Sequence, residues 1–403
     1  MNLVDWIVLS GTLLYIILYG IWKSRGIQNT EDYLIGKREL KWWTIGLSII
    51  ATQASAITFL STPGQAYEEG MSFAQFYIGM PIAMVILSAF VLPLYYKLRV
   101  YTAYEFLESR FDLNARLLAA GFFLLLRGFS AGIVIVAPAV ILSAILGWSL
   151  NLTILIMGGL VIIYTFIGGG DAVSQTQKQQ MIIILGGMGV ALYIIVQRLS
   201  ADVELGEAVA LAGQLGKMNI IESEFDLSQK YNIWSGLLAG TFLFLSYFGT
   251  DQSQVQRYIS GKSLRESRLG LLFNGLFKVP MQIMILFIGA MLFVFYQFNA
   301  PPLYFNKQVM TELQASEYQS DLQVLQTRHD KLFEQKKAEI ITLKQALEVE
   351  KQTQIEVQRS KIEQLKIAED SLGKDFVRLI KKAGLKPKKN ESDFVFITFV
   401  LNY

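Results

Sequence analysis

The sequence predicts an all-α membrane protein that carries one polar helical insertion, and three observations lead there. Of its 403 residues, 53% are hydrophobic and only 17% are charged, with a mean hydropathy of +0.39; an ordinary soluble domain is about 45–50% apolar. Eight apolar stretches precede residue 300, each close to the roughly 20 residues that cross a hydrocarbon layer. Finally, 31 of the 69 charged side chains fall in the 85 residues from Lys307 to Glu391, so the remainder is more apolar still. The chain has no cysteine, which excludes disulfides and thiolate chemistry. Its single histidine, His329, leaves no histidine cluster for zinc. A net charge of +3 gives no reason to expect nucleic acid as a partner.

The spans are expected at residues 4 to 22, 43 to 61, 73 to 96, 118 to 147, 152 to 168, 181 to 198, 234 to 250 and 269 to 297. The first is expected to remain as an anchored helix, because it lacks a basic start, carries Asp5 early and has no small-x-small cleavage site. Basic residues in short loops stay on the cytoplasmic side. They occur in alternate loops: Lys23 to Lys41, Lys97 to Arg116, Lys178, and Arg257 to Arg268. The short loops Pro63 to Ser72 and Trp148 to Asn151 have none. This pattern expects a multi-pass protein of the inner (plasma) membrane with its N-terminus outside, and with the acidic loop from Leu199 to Tyr231 outside as well.

The membrane domain is expected to occupy residues 1 to 306 and the polar insertion residues 307 to 391. From Lys307 to Leu372 there is neither Gly nor Pro, and Glu, Lys, Gln and Leu abound, which is a helical composition. One unbroken helix of that length would reach almost 100 Å, yet both ends must return to the same membrane face. A hairpin bending near Glu348 to Thr353, on the extracellular side and open to a protein partner, answers that constraint. Leu322, Leu325, His329 and Leu332 have coiled-coil-like spacing that slips near Ile340. His329 is expected to serve packing, and the basic run Lys381 to Lys389 to be a solvated linker, with anionic lipid contact as its alternative. Residues 392 to 403 begin a further apolar segment that cannot span, so the chain is expected to stop inside a larger membrane domain and, alone, to transport nothing.

The second span carries the chemistry. Its middle, Thr52-Gln53-Ala54-Ser55-Ala56-Ile57-Thr58, is small and polar. Two readings remain open: a tightly packed helix pair, or a locally unwound helix whose free carbonyls bind a cation and whose side chains bind a solute near the midplane.

Four ordered motifs extend this reading. Gly36-Lys37-Arg38-Glu39-Leu40-Lys41-Trp42-Trp43 leads into the polar span, and Pro63-Gly64-Gln65-Ala66-Tyr67 follows it. Tyr101-Thr102-Ala103-Tyr104-Glu105-Phe106-Leu107-Glu108-Ser109-Arg110-Phe111 comes next, then Gly168-Gly169-Gly170-Asp171-Ala172-Val173. Last comes Tyr247-Phe248-Gly249-Thr250-Asp251-Gln252 with Val255-Gln256-Arg257. Together they resemble the sodium:solute symporter family over residues 1 to 300, and faintly over 393 to 403.

The resemblance implies a LeuT-like architecture of two inverted five-helix repeats, here incomplete, with one extra N-terminal helix. The insertion has no counterpart in the family pattern. The resemblance also implies sodium as coupling ion, held by the carbonyls of Ala51 and Ala54, with its remaining ligands beyond residue 403. It places solute contacts at Ser55, Thr58, Gln75 and Tyr247, the last a gate-like aromatic for which interface packing is an equal alternative. Lys278 matches a family lysine, in structural pairing or in solute contact. Thr176-Gln177 stands where many members have Thr-Asp, which puts a cytoplasmic sodium-exit contact in doubt.

Arg127 stands out on physical grounds, because a central arginine costs at least about 2.5–3.5 kcal/mol to insert and must face a cavity or partner. It is read as a bidentate clamp for a solute carboxylate or as a side chain snorkelling to the cytoplasmic surface. With Ser, Thr and Gln nearby, it resembles the family's sialic acid branch.

The function implied is sodium-coupled import of a small polar organic solute by alternating access, with sialic acid or another organic acid as a candidate. The alternatives are a neutral sugar or vitamin as solute, or a transporter-like membrane sensor. An enzyme finds no nucleophile-histidine or metal-ligand constellation in the membrane helices.

Overall fold

The computed structural model describes residues 3–23, 33, 38–226, 230–387 and 391–403. Arg25, the Gly36-Lys37 start of the first motif, and Lys388 and Lys389 of the basic run lie outside the described residues. Helices account for the architecture: α1 Leu3–Lys23, α2 Trp42–Gln53, α3 Ala56–Glu69, α4 Ser72–Leu98, α5 Glu105–Arg110, α6 Leu113–Leu146 and α7 Leu150–Leu199. They continue as α8 Leu205–Gln214, α9 Ser235–Thr250, α10 Gln252–Ile259, α11 Leu264–Phe298, α12 Lys307–Gln314, α13 Gln319–Glu348, α14 Gln352–Lys382 and α15 Val395–Asn402. Among the described residues the β-pairing is a single parallel bridge between Leu40 and Gly261.

Helices α1, α4, α6, α11 and the Val173–Leu199 part of α7 are long and apolar enough to cross a bilayer, and α2 with α3 makes a sixth span when counted as one broken helix. The other two expected spans are shorter apolar helices, Leu150–Ile163 and Ser235–Thr250. A polar loop was expected between residues 168 and 181. Instead α7 runs through it, and a single glycine, Gly169 at φ 57° and ψ −165°, absorbs the change of direction. Leu124, Leu125, Leu126 and Phe129 of α6 are all exposed, a surface suited to lipid rather than to water.

Two compact units divide the chain. One comprises residues 1–58, 73–187 and 221–283. Its core is formed by Ile45, Ile49, Met80, Met84, Leu87, Phe244, Phe248 and Tyr258. Here α4 and α9 approach backbone to backbone: a Cβ on Gly79 would strike Thr241 and the Gly236 carbonyl, and one on Gly236 would strike the Gln75 carbonyl. Small residues make such approach possible in a bilayer, where dispersion contacts and interhelical hydrogen bonds drive association.

The other unit comprises residues 59–72, 188–220 and 284–403. In it Gly289 seats α11 against Pro63, and Gly64 seats α3 against the Ser392 backbone. Tyr67, Phe293, Tyr296 and Phe305 form edge-to-face ring pairs at 5.5–6.0 Å. The polar segment folds as α13 and α14 joined through Val349 to Lys351, with Glu350 at φ 53°. Leu322, Leu325, Leu372, Phe376, Leu379 and Ile380 pack at its base with Tyr304 and Leu313. Lys336 pairs with Glu369 at 2.7 Å, and Lys361 with Glu339 at 3.3 Å. Towards the far end, Lys344 reaches Glu207 of α8 at 3.1 Å. His329 contacts Asp330 at 3.3 Å.

Candidate functional site

The break between α2 and α3 begins with side-chain chemistry. Thr52 Oγ1 donates back to the Ser48 carbonyl at 2.8 Å, a local bond that competes with the helical ladder and bends helices. The Ala54 N–H still reaches the Ile50 carbonyl at 2.8 Å, but Ala54 itself lies at φ −85°, ψ 101°, which is extended backbone. After the interruption the Thr58 N–H closes onto the Ser55 carbonyl at 2.9 Å. Among the described residues no backbone N–H outside the helices closes onto the carbonyls of Ala51 or Ala54. The buried amide oxygen of Gln53 also has no hydrogen-bond partner. Unsatisfied oxygens at such depth are costly in an apolar medium and are the donor type that a hard cation takes. Ser55, within the break, and Thr58, in the first turn of α3, are both half-buried.

On the other face of α2, Gln177 of α7 accepts hydrogen bonds from Ser48 and Thr52. The Gln177 amide thus accepts from two hydroxyls of α2.

Arg127, in the middle of α6, forms an ion pair with Asp251. Its guanidinium lies 5.7 Å from the centroid of the Tyr247 ring, within cation–π range. The Tyr247 hydroxyl in turn accepts a hydrogen bond from Gln254 Nε2 at 2.7 Å. Asp251 occupies the interruption between α9 and α10, at φ −78°, ψ 117°, and caps α10 by accepting from Ser253 N and Ser253 Oγ at 2.9 and 2.6 Å. Arg127 and Tyr247 are therefore brought into one cluster. Gln75 is fully buried and bound to the loop that follows α8, its amide accepting from Glu222 N at 2.9 Å and donating to the Tyr231 carbonyl at 3.4 Å. Lys278, also buried, faces the Tyr77 ring at 5.6 Å.

Asp251, Gln254 and Gln53 were not anticipated as site residues. An acid at a helix interruption within an apolar region was the signal for Asp251, since a membrane arginine needs a counter-charge. Among the described residues there is no group of three or more His, Cys, Asp or Glu side chains that could hold a metal ion.

The profile of the Sodium:solute symporter family matches residues 33–322. The chain belongs to the sodium:solute symporter family. Its LeuT-like fold accompanies that membership: a solved structure of a Na+-coupled sialic acid symporter in a substrate-bound outward-open state matches with a TM-score of 0.68 at 23% identity, over 99% of this chain and 80% of that one. Symporter relatives include the human sodium/iodide cotransporter, 32% identical over 69% of this chain and 43% of its own length. The mouse sodium-coupled monocarboxylate transporter 1 is 32% identical over 67% and 44%, and the sodium/sialic acid symporter of Proteus mirabilis (strain HI4320) is 31% identical over 73% and 59%. The chain thus spans about half the length of the symporter relatives it matches. Members of the family are membrane transporters and not enzymes.

Proposed function

We propose that this protein is a sodium-coupled symporter that imports a small polar organic solute, with a carboxylate as the favoured class. The break between Gln53 and Ala56 carries the reading, because it leaves the Ala51 and Ala54 carbonyls open at one point in an apolar helix. Sodium bound there would stabilise the outward-open form. Solute at Ser55, Thr58, Gln75, Tyr247 and Lys278 would then favour closure of the outer side and opening of the inner one. Each charge moving inward gains about 2.3 kcal/mol per 100 mV of membrane potential. The names of the monocarboxylate and sialic acid relatives support an acid as solute.

A second reading, a neutral sugar or vitamin, is favoured by the Arg127–Asp251 ion pair, which already compensates the arginine. Arg127→Gln discriminates the two: it weakens binding of an acid and leaves a neutral solute unaffected.

Alternating loop charges support an inner (plasma) membrane location with the N-terminus outside. On that topology the membrane domain, residues 1 to 306, is followed by an extracellular insertion, residues 307 to 391, available to a protein partner. A further membrane segment starts at 392. The test is solute-screened uptake in sodium and in choline buffers. Uptake that stops in choline, with a raised half-saturating Na+ concentration in Ser55→Leu, supports sodium coupling. Unchanged uptake after full replacement by choline removes it.

A further inference from the structure

We infer that Asp251 is the resident counter-ion of Arg127 and gives up that guanidinium to the carboxylate of an incoming solute, so that binding unties α6 from the interruption between α9 and α10. The inference rests on the carboxylate reading above and adds a residue that competes with the solute.

The geometry supports exchange. The two Asp251 oxygens have separate tasks: Oδ2 pairs with Arg127, while Oδ1 accepts from Ser253 N and Ser253 Oγ. When a solute carboxylate takes the guanidinium, Oδ1 keeps both bonds, so Asp251 retains two neutral donors although it loses its cation. Replacing one carboxylate by another keeps Arg127 paired, while the Asp251 charge is then held by the two Ser253 donors and by its partial exposure. Both partners are accessible, the Arg127 side chain being 32% exposed and that of Asp251 18%. The Tyr247 ring, held through its hydroxyl by Gln254, keeps the guanidinium in place during the exchange.

Location gives the exchange its consequence. Asp251 is the non-helical residue at which α9 ends and α10 begins. An ion pair to α6 restrains that joint, and its loss to a solute frees the joint to move. Occupancy of the site is thereby linked to the conformation of a broken helix, because the solute binds the untied form and shifts the population towards it.

The test measures binding of L-lactate and N-acetylneuraminate, with lactamide as neutral control, to the protein in nanodiscs in sodium buffer. Wild type is compared with Asp251→Asn, Arg127→Gln and the double variant. Asparagine retains the ability to cap α10, and insertion and thermal unfolding are checked for each variant. The expected result is that Asp251→Asn tightens binding of at least one acid about two- to fivefold, the scale of a partly exposed ion pair. Lactamide should not gain, and the double variant should lose the gain. If Arg127→Gln weakens acid binding while Asp251→Asn leaves it unchanged or weaker, Asp251 is a fixed structural partner. This inference then falls and the arginine clamp stands. If wild type binds neither acid, or Arg127→Gln binds as wild type does, the carboxylate reading falls and takes this inference with it.

Discussion

Ser48 Oγ donates a hydrogen bond to Gln177 Oε1 at 2.8 Å, and Ser48 is fully buried. That bond joins the polar face of α2, one turn before its break, to the helix that follows the Gly169 kink. Gln177→Leu leaves the serine hydroxyl without this partner, at a cost of about 1–3 kcal/mol for a buried unsatisfied group. The expected outcome is a lower thermal midpoint in detergent, with a raised half-saturating Na+ concentration in uptake. An unchanged midpoint would show that Ser48 finds another acceptor.

Close approach of α4 and α9 predicts intolerance at Gly236. An alanine there would place its methyl against the Gln75 carbonyl, and overpacking of this kind costs about 1–3 kcal/mol. Gly186, with nothing within 4 Å of its Cβ position, serves as control. Size-exclusion yield after purification should fall for Gly236→Ala and not for Gly186→Ala.

Lys344 and Glu207, 3.1 Å apart, hold the far part of the α13–α14 pair to α8. Glu207 also accepts the Glu204 N–H, and that bond together with Lys344 holds its carboxyl below the ordinary carboxylate range. The side chains are 22% and 31% exposed, so the coupling should be only about 0.2–1 kcal/mol. Lys344→Glu should speed proteolysis of the α13–α14 segment, and adding Glu207→Lys should restore wild-type resistance. Failure of the double reversal to rescue would assign the effect to Lys344's other contacts, the Asp202 carbonyl and Glu348.

Burial pushes the Glu391 carboxyl up to about 7 from 4.5, with Glu68 nearby adding to the shift, although the Phe305 N–H donates to it at 2.5 Å. Below 4.5 the carboxyl is protonated in both folded and unfolded chains. Between 4.5 and about 7 the unfolded chain loses its proton first, so the group costs stability increasingly as pH rises and in full above about 7. Glu391→Gln should therefore be more stable than wild type at pH 8, by on the order of 1–3 kcal/mol, and should match it at pH 4. Equal unfolding midpoints at both pH values would contradict the assigned burial.

What the sequence determined by itself was class and family, with a break in the second span as one of two open readings. Apolar runs of span length are a property of composition, because a bilayer imposes its thickness on any helix that crosses it. The run Thr52-Gln53-Ala54-Ser55 announced trouble for a helix, because side chains that bond locally compete with the ladder. The break follows at Ala54.

Tertiary structure decided the partners. The place of Arg127 inside an apolar run showed that it needed a cavity or a partner, but Asp251 is 124 positions away and only folding brings the two together. The same holds for Gln75, assigned to solute by resemblance and found bound to Glu222 and Tyr231, and for Gln177, whose two hydroxyl partners lie on another helix. Even the loop expected between two spans became one kinked helix, because a single positive-φ glycine was enough to turn the chain. Local chemistry fixes where a helix ends or bends, since those bonds form within a few residues. Which oxygen meets which nitrogen across the fold is set by packing, and no one-dimensional pattern encodes that directly.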